Sequence, residues 1–176
     1  VQYLLNTLKD LTFDNIYHEH TNYWSLTSLN NFFKNLSCKI YRAERINTHG
    51  GSLRVYLSKN MNIKIDNSIS FLLKEEEDFG IKNISTYKKF GEKVESLKQK
   101  VLKNISILKE KNNKIIAYGS PAKATTALNY FNISKEIDYI IEDNELKHGK
   151  YLPGVKIPIV GKEKISGKIN CVLVLA

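Results

Sequence analysis

Apolar residues recur three and four positions apart in Tyr3, Leu4, Leu5, Leu8 and Leu11, and this spacing predicts a helix over 2–11. The same rhythm returns in Leu29, Phe32, Phe33 and Leu36, with Thr27 as the expected N-cap of a helix running to 36. Segments 38–46 and 52–57 are rich in β-formers and read as two strands. Asn47-Thr48-His49-Gly50-Gly51 joins them, and its double glycine permits a tight connection. Residues 60–67 read as a connector, 69–78 as a short helix carrying Leu72 and Leu73 that ends near Gly80, and 85–111 as a long helix. The long helix carries Tyr87, Phe90, Val94, Leu97, Val101, Ile105 and Leu108 on one stripe, which is the pattern of a packing face.

From 114 the pattern changes. Short apolar runs at 114–118, 138–142, 156–160 and 171–175 alternate with a helical stretch at 122–130 and a helical turn at 162–165. The run at 171–175 reads as a buried strand. Strands alternating with short helices predict an α/β fold with an open, mostly parallel sheet.

Composition narrows the class. The chain has 176 residues, 42% of them hydrophobic, which suffices for a real core. Its formal charge is +9 and its isoelectric point about 9.4, almost all from lysines spread along the chain. Spread lysines read as solvated faces, or as attraction for an anionic ligand such as a nucleotide. Basic runs interleaved with aromatics are missing, which argues against nucleic acid as a partner. Cys38 and Cys171 lie far apart in apolar surroundings, with no metal-ligand spacing, and read as reduced thiols of a cytoplasmic protein. No apolar run approaches the length of a membrane span and no signal peptide is present, so no membrane partner is expected. The chain starts at Val1 and stops within an apolar run, so it is expected to be a fragment of a longer protein.

Three motifs bear on chemistry. Tyr17-His18-Glu19-His20 holds two of the chain's four histidines beside a carboxylate and a phenol. These are the side chains that proton transfer uses, since a neighbouring acid or phenol can orient an imidazole that titrates near neutral pH. His20 could act as a base, with Glu19 or Tyr17 orienting it or donating to an oxyanion. A structural role in capping and buried hydrogen bonds stands beside that reading. A zinc site would need a third ligand; His49 is available, but no spacing requires it.

The second motif, Tyr118-Gly119-Ser120-Pro121-Ala122-Lys123-Ala124-Thr125-Thr126, is a strand, a glycine turn and a helix start. Free backbone N–H groups there, with Ser120, Lys123 and Thr125, would suit a phosphate. Glu142 and Asp143 close the next strand, where dinucleotide folds place a ribose-binding acid. Alone this is a weak signal, because many such units bind nothing. The third motif, His49-Gly50-Gly51-Ser52-Leu53-Arg54, is either a tight turn with a surface arginine or a hairpin whose Arg54 faces an anion.

Taken in order with Phe13-Asp14-Asn15-Ile16 before the first motif and with Asp143-Asn144, Lys147, Gly149, Tyr151, Pro153-Gly154 and Ile157-Pro158-Ile159 after the turn, the series resembles the SAM-dependent nucleotide-sugar C-methyltransferases of the deoxysugar C3-methyltransferase type. The resemblance runs over essentially the whole chain. In that family the turn usually reads Gly-Tyr-Gly-Ala-Pro-Ala-Lys-Gly-Asn-Thr; Ala117, Ser120, Ala124 and Thr125 depart from it.

The resemblance implies a division of the chain. Residues 1–60 would end a methyltransferase domain as a helix-plus-β-hairpin remnant, 61–112 would be a helical connector, and 113–176 would be a truncated Rossmann-like C-terminal domain. It implies S-adenosyl-L-methionine (SAM) as cofactor, bound mostly by residues outside this chain, and a zinc site in a further N-terminal domain, with no metal here. The fragment alone is expected to be inactive.

The implied substrate is a 4-keto deoxysugar on a nucleoside diphosphate, with base-catalysed enolate formation before methyl transfer to carbon. Carried over, the catalytic positions are His20 as base with Glu19 and Tyr17. Substrate binding would fall to His49, Gly50, Gly51, Ser52, Arg54, Gly119, Ser120, Pro121, Lys123, Thr125, Asp143 and Lys147. The alternative is a non-catalytic nucleotide- or sugar-nucleotide-binding module that uses only the Gly119 turn.

Overall fold

A computed structural model of the chain describes residues 1–48, 50–110, 114–167 and 169–175. It divides into two compact units, one comprising 1–13 with 18–93 and the other 14–17 with 94–176.

The first unit contains α1 (Leu4–Asp10), α2 (Leu26–Lys34), β1 (Lys39–Ile46), β2 (Ser52–Ser58) and α3 (Asn67–Phe79). β1 and β2 form an antiparallel hairpin that pairs Glu44 with Arg54 and Ile46 with Ser52, with one irregularity between Ile40 and Arg42. Its core gathers Tyr3, Leu5, Leu26, Ile40, Leu53 and Leu72, with their neighbours. The helix expected to start at Thr27 instead takes Ser25 as N-cap: Ser25 Oγ accepts from the Ser28 N–H, and Ser28 Oγ accepts from the Ser25 N–H. This reciprocal capping box sets the start two residues earlier. α3 is capped by Asp66, whose carboxylate accepts from Ser68 N at 2.8 Å, and it ends at Gly80 in the left-handed conformation.

α4 (Ile84–Glu110) begins in the first unit and continues in the second. Its single stripe serves two cores. Tyr87 and Phe90 pack on the first, whereas Val101, Ile105 and Leu108 join the second.

The second unit contains β3 (Ile115–Tyr118), α5 (Ala122–Phe131), β4 (Ile140–Ile141), β5 (Ile159–Val160) and β6 (Cys171–Val174). All four strands are parallel, in the order β5-β4-β3-β6. Counted from β3 this is the 3-2-1-4 order of a Rossmann-like sheet, and the order reverses between β3 and β6. Ile115, Ala117, Leu128, Ile140 and Leu152 are among its core residues.

Two strand expectations shift. The run 138–142 narrows to Ile140–Ile141 as regular strand, although Asp138 N and Glu142 N still bond to neighbouring carbonyls. The run 171–175 is not buried: Val172 is 46% and Val174 66% exposed. β6 pairs only with β3 among the described residues, so alternate side chains face away from the core. No helix among the described residues is long and apolar enough to cross a membrane.

Candidate active site

Residues 3–24 form a closed excursion that carries the Tyr17–His20 motif. Tyr3 and Trp24 pair as a bridge at its base, and Leu4 N donates to Trp24 O at 2.9 Å. The base is fastened to the β1–β2 turn, since Gln2 bridges Ser52 and Leu53 N donates to Val1 O at 2.9 Å.

Within the excursion the chain bends at Tyr17 and turns through His18 and Glu19, so the alternation of an extended loop does not apply. Tyr17 is half-buried and belongs with the second unit, its N–H donating to Asn15 O at 3.1 Å. His18 and Glu19 are exposed, Nε2 to Oε1 4.0 Å. His20 is half-buried, with its ring edge-on to Tyr23 at a centroid distance of 6.3 Å.

The motif His49–Arg54 is described from Gly50 on; His49 lies outside the described residues. Gly50 and Gly51 both have positive φ, and a Cβ on Gly51 would stand 2.6 Å from Asn6 Nδ2, so this turn requires glycine there. Ser52 is buried and donates to Thr48 O at 3.1 Å. Arg54 faces a carboxylate of this chain: its Nη1 lies 3.0 Å from Glu44 Oε1, which also accepts from the Tyr56 hydroxyl at 2.8 Å. The Tyr56 and Arg54 hydrogen bonds hold the Glu44 carboxyl below its ordinary pKa.

At the Gly119 turn, β3 delivers Gly119 with φ of +86°, and Gly119 N donates to Ile141 O at 2.8 Å. Pro121 is the N-cap of α5, in extended conformation and with no side-chain cap bond. Lys123 and Thr125 are half-buried on α5.

The turn's donors meet Glu142. Its Oε2 accepts from Ser120 N at 2.9 Å, from the Ser120 hydroxyl, and from Lys147 Nζ at 3.1 Å. Its Oε1 accepts from Asn144 N at 3.2 Å, and Lys147 also reaches Ser120 O at 3.0 Å. Partial burial pushes the Glu142 carboxyl up, but the bonds from Ser120, Asn144 and Lys147 outweigh it and bring it to about 2. Asp143 accepts from the Tyr118 hydroxyl at 2.5 Å, and that bond pushes the phenol above its usual pKa. A carboxylate of this chain therefore takes both donors of Ser120, one of the residues the sequence pattern offers to a phosphate.

A second cluster went unread in the sequence. Glu76 is fully buried on α3, inside the acidic run Glu75-Glu76-Glu77-Asp78. Its Oε1 accepts from the Tyr3 hydroxyl at 2.9 Å and from Leu26 N at 2.6 Å. Its Oε2 accepts from Thr27 N at 2.9 Å and from Thr27 Oγ1 at 2.6 Å. Glu76 thus takes the first two N–H groups of α2, where the helix dipole favours negative charge. Burial, then the Glu76 charge, push the Tyr3 phenol well above its ordinary range. The available signal was spacing: Ile69, Leu72, Leu73 and Glu76 fall at i, i+3, i+4 and i+7, so Glu76 lies on the buried stripe of α3.

Among the described residues no group of three or more His, Cys, Asp and Glu side chains is placed to hold a metal ion.

The family model described as C-methyltransferase C-terminal domain matches residues 47–176. The chain belongs to this family. It is also 29% identical over 171 residues to the C-methyltransferase NovU of Streptomyces niveus. That match covers 96% of this chain and 41% of NovU, so the chain spans less than half the length of this relative. The match begins at residue 47, just after β1, and takes in β2, α3, α4 and the Rossmann-like sheet.

Proposed function

We propose that this chain is part of a SAM-dependent C-methyltransferase acting on a nucleoside-diphosphate-linked 4-keto deoxysugar, with His20 as the base. A hydrogen at C3, beside the C4 ketone, becomes acidic once the carbonyl oxygen is stabilised and a base is already in place. His20 takes that proton, and the C–H electron pair moves into the enolate with its charge on the C4 oxygen. Tyr17 is suited to donate to that oxygen and Glu19 to orient the imidazole. SAM supplies the methyl group and would be held mostly by residues outside this chain.

One observation carries the reading: His20 directly follows the exposed His18–Glu19 turn and is half-buried, with its ring edge-on to Tyr23. The family membership and the similarity to a named C-methyltransferase support it. The alternative, a binding module that uses only the Gly119 turn, is less favoured because Glu142 already takes the donors of Ser120.

The test uses the full-length protein. His20→Asn is assayed for methyl transfer and for solvent deuterium exchange at the sugar C3. Loss of both is expected, and exchange at the wild-type rate would remove His20 as the base.

A further inference from the structure

We infer that Glu76 is the positioning residue of the His18–His20 turn, acting through the base of the excursion that carries it. The inference rests on the reading of His20 as a base.

The excursion has two ends, Tyr3 and Trp24, paired backbone to backbone. Glu76 bonds to both sides of that pairing: the Tyr3 hydroxyl on one side, and Leu26 N, Thr27 N and Thr27 Oγ1 on the other. His20 leans on Tyr23, the residue before Trp24, so the path from the carboxylate to the imidazole is short and mostly backbone.

The cluster has the marks of a part held for geometry. A fully buried carboxylate is a costly way to join two helix starts, unless its bonds are all made. Here both oxygens are doubly engaged, by one phenol, one hydroxyl and two backbone N–H groups. An amide is a poor replacement: Gln at 76 would aim its NH2 at the backbone N–H of Leu26 or Thr27, which can only donate, even if the neighbouring phenol or hydroxyl turned to accept. Second fastenings brace the same point. Arg45 lies over the Tyr3 ring at 5.3 Å and ion-pairs with Glu75 at 2.8 Å, and Lys9 of α1 reaches Glu75 at 2.6 Å.

The experiment compares Glu76→Gln, Thr27→Val and His20→Asn, alone and combined, in the full-length protein with SAM and sugar nucleotide. The readout is C3 deuterium exchange at saturating substrate, per folded protein, with KM measured in parallel. Glu76→Gln is expected to lower exchange about ten- to a hundredfold with KM little changed, and Thr27→Val to lower it several-fold. Neither substitution should lower exchange further in the His20→Asn background. If Glu76→Gln fails to fold, Thr27→Val decides.

Wild-type exchange in Thr27→Val and in folded Glu76→Gln, with exchange lost in His20→Asn, overturns the role of Glu76 and leaves the base intact. Wild-type exchange in His20→Asn overturns the base and this inference with it. A drop in melting temperature with exchange per folded protein unchanged marks Glu76 as structural and overturns the positioning role.

Discussion

The carboxylate of Glu142 takes both the backbone N–H and the hydroxyl of Ser120, so the strand following the Gly119 turn closes that turn from within. The pairing makes the second unit's stability depend on Glu142 being charged. Its folded pKa, about 2, lies below its unfolded value of about 4.5. Such a group contributes in full above pH 4.5 and loses that contribution as pH falls towards 2. Chemical denaturation from pH 6 to 2.5 should show wild type losing about 1–2 kcal/mol more than Glu142→Gln; the figure is discounted for solvent screening at Lys147. Parallel losses in the two proteins would refute the pairing.

Gly51 lies against Asn6 with φ of +105°. Gly51→Ala should cost about 2 kcal/mol, from the Cβ contact and from the conformation. Adding Asn6→Ala should restore the steric share and leave the conformational share. Urea titration of the single and double variants separates the two.

Ser25 is the N-cap of α2 in the structure, although the sequence pattern pointed to Thr27. Ser25→Ala should cost about 1 kcal/mol by removing the acceptor for Ser28 N. An unchanged midpoint of denaturation would contradict the capping box.

The exposed face of β6 gives a contrast of burial. Ile140→Ala, at a fully buried position of β4, should destabilise by about 3 kcal/mol. Val174→Ala, at a position 66% exposed, should stay within about 0.5 kcal/mol of wild type. Equal losses would mean that β6 is covered on both faces.

Periodicity made the helices and hairpin legible, because a 3.6-residue or two-residue rhythm needs only apolar side chains with one buried face. The long stripe from Tyr87 to Leu108 was read correctly as packing, but nothing in its spacing says that Phe90 and Ile105 serve different cores. The stripe spacing puts Glu76 on the buried face of α3, but its role is not legible in Glu75-Glu76-Glu77-Asp78, because the donors that make its burial tolerable, at Tyr3, Leu26 and Thr27, are distant in sequence. The Gly119 turn was legible as strand, glycine and helix. That Glu142 takes the Ser120 donors was not, since a carboxylate and a phosphate can both accept from that N–H. Arg54 shows the same effect: the anion it meets is Glu44, across the hairpin.

Asp14–Tyr17 belongs with the second unit although the first unit flanks it on both sides in sequence. The Thr126 hydroxyl donates to Ile16 O at 3.3 Å, one residue before Tyr17. The two units are therefore not separable by one cut: a break after Lys93 would leave these four residues on the wrong piece, parted from Thr126. Of the motif's four residues, Tyr17 is the one whose setting the first unit cannot rebuild alone.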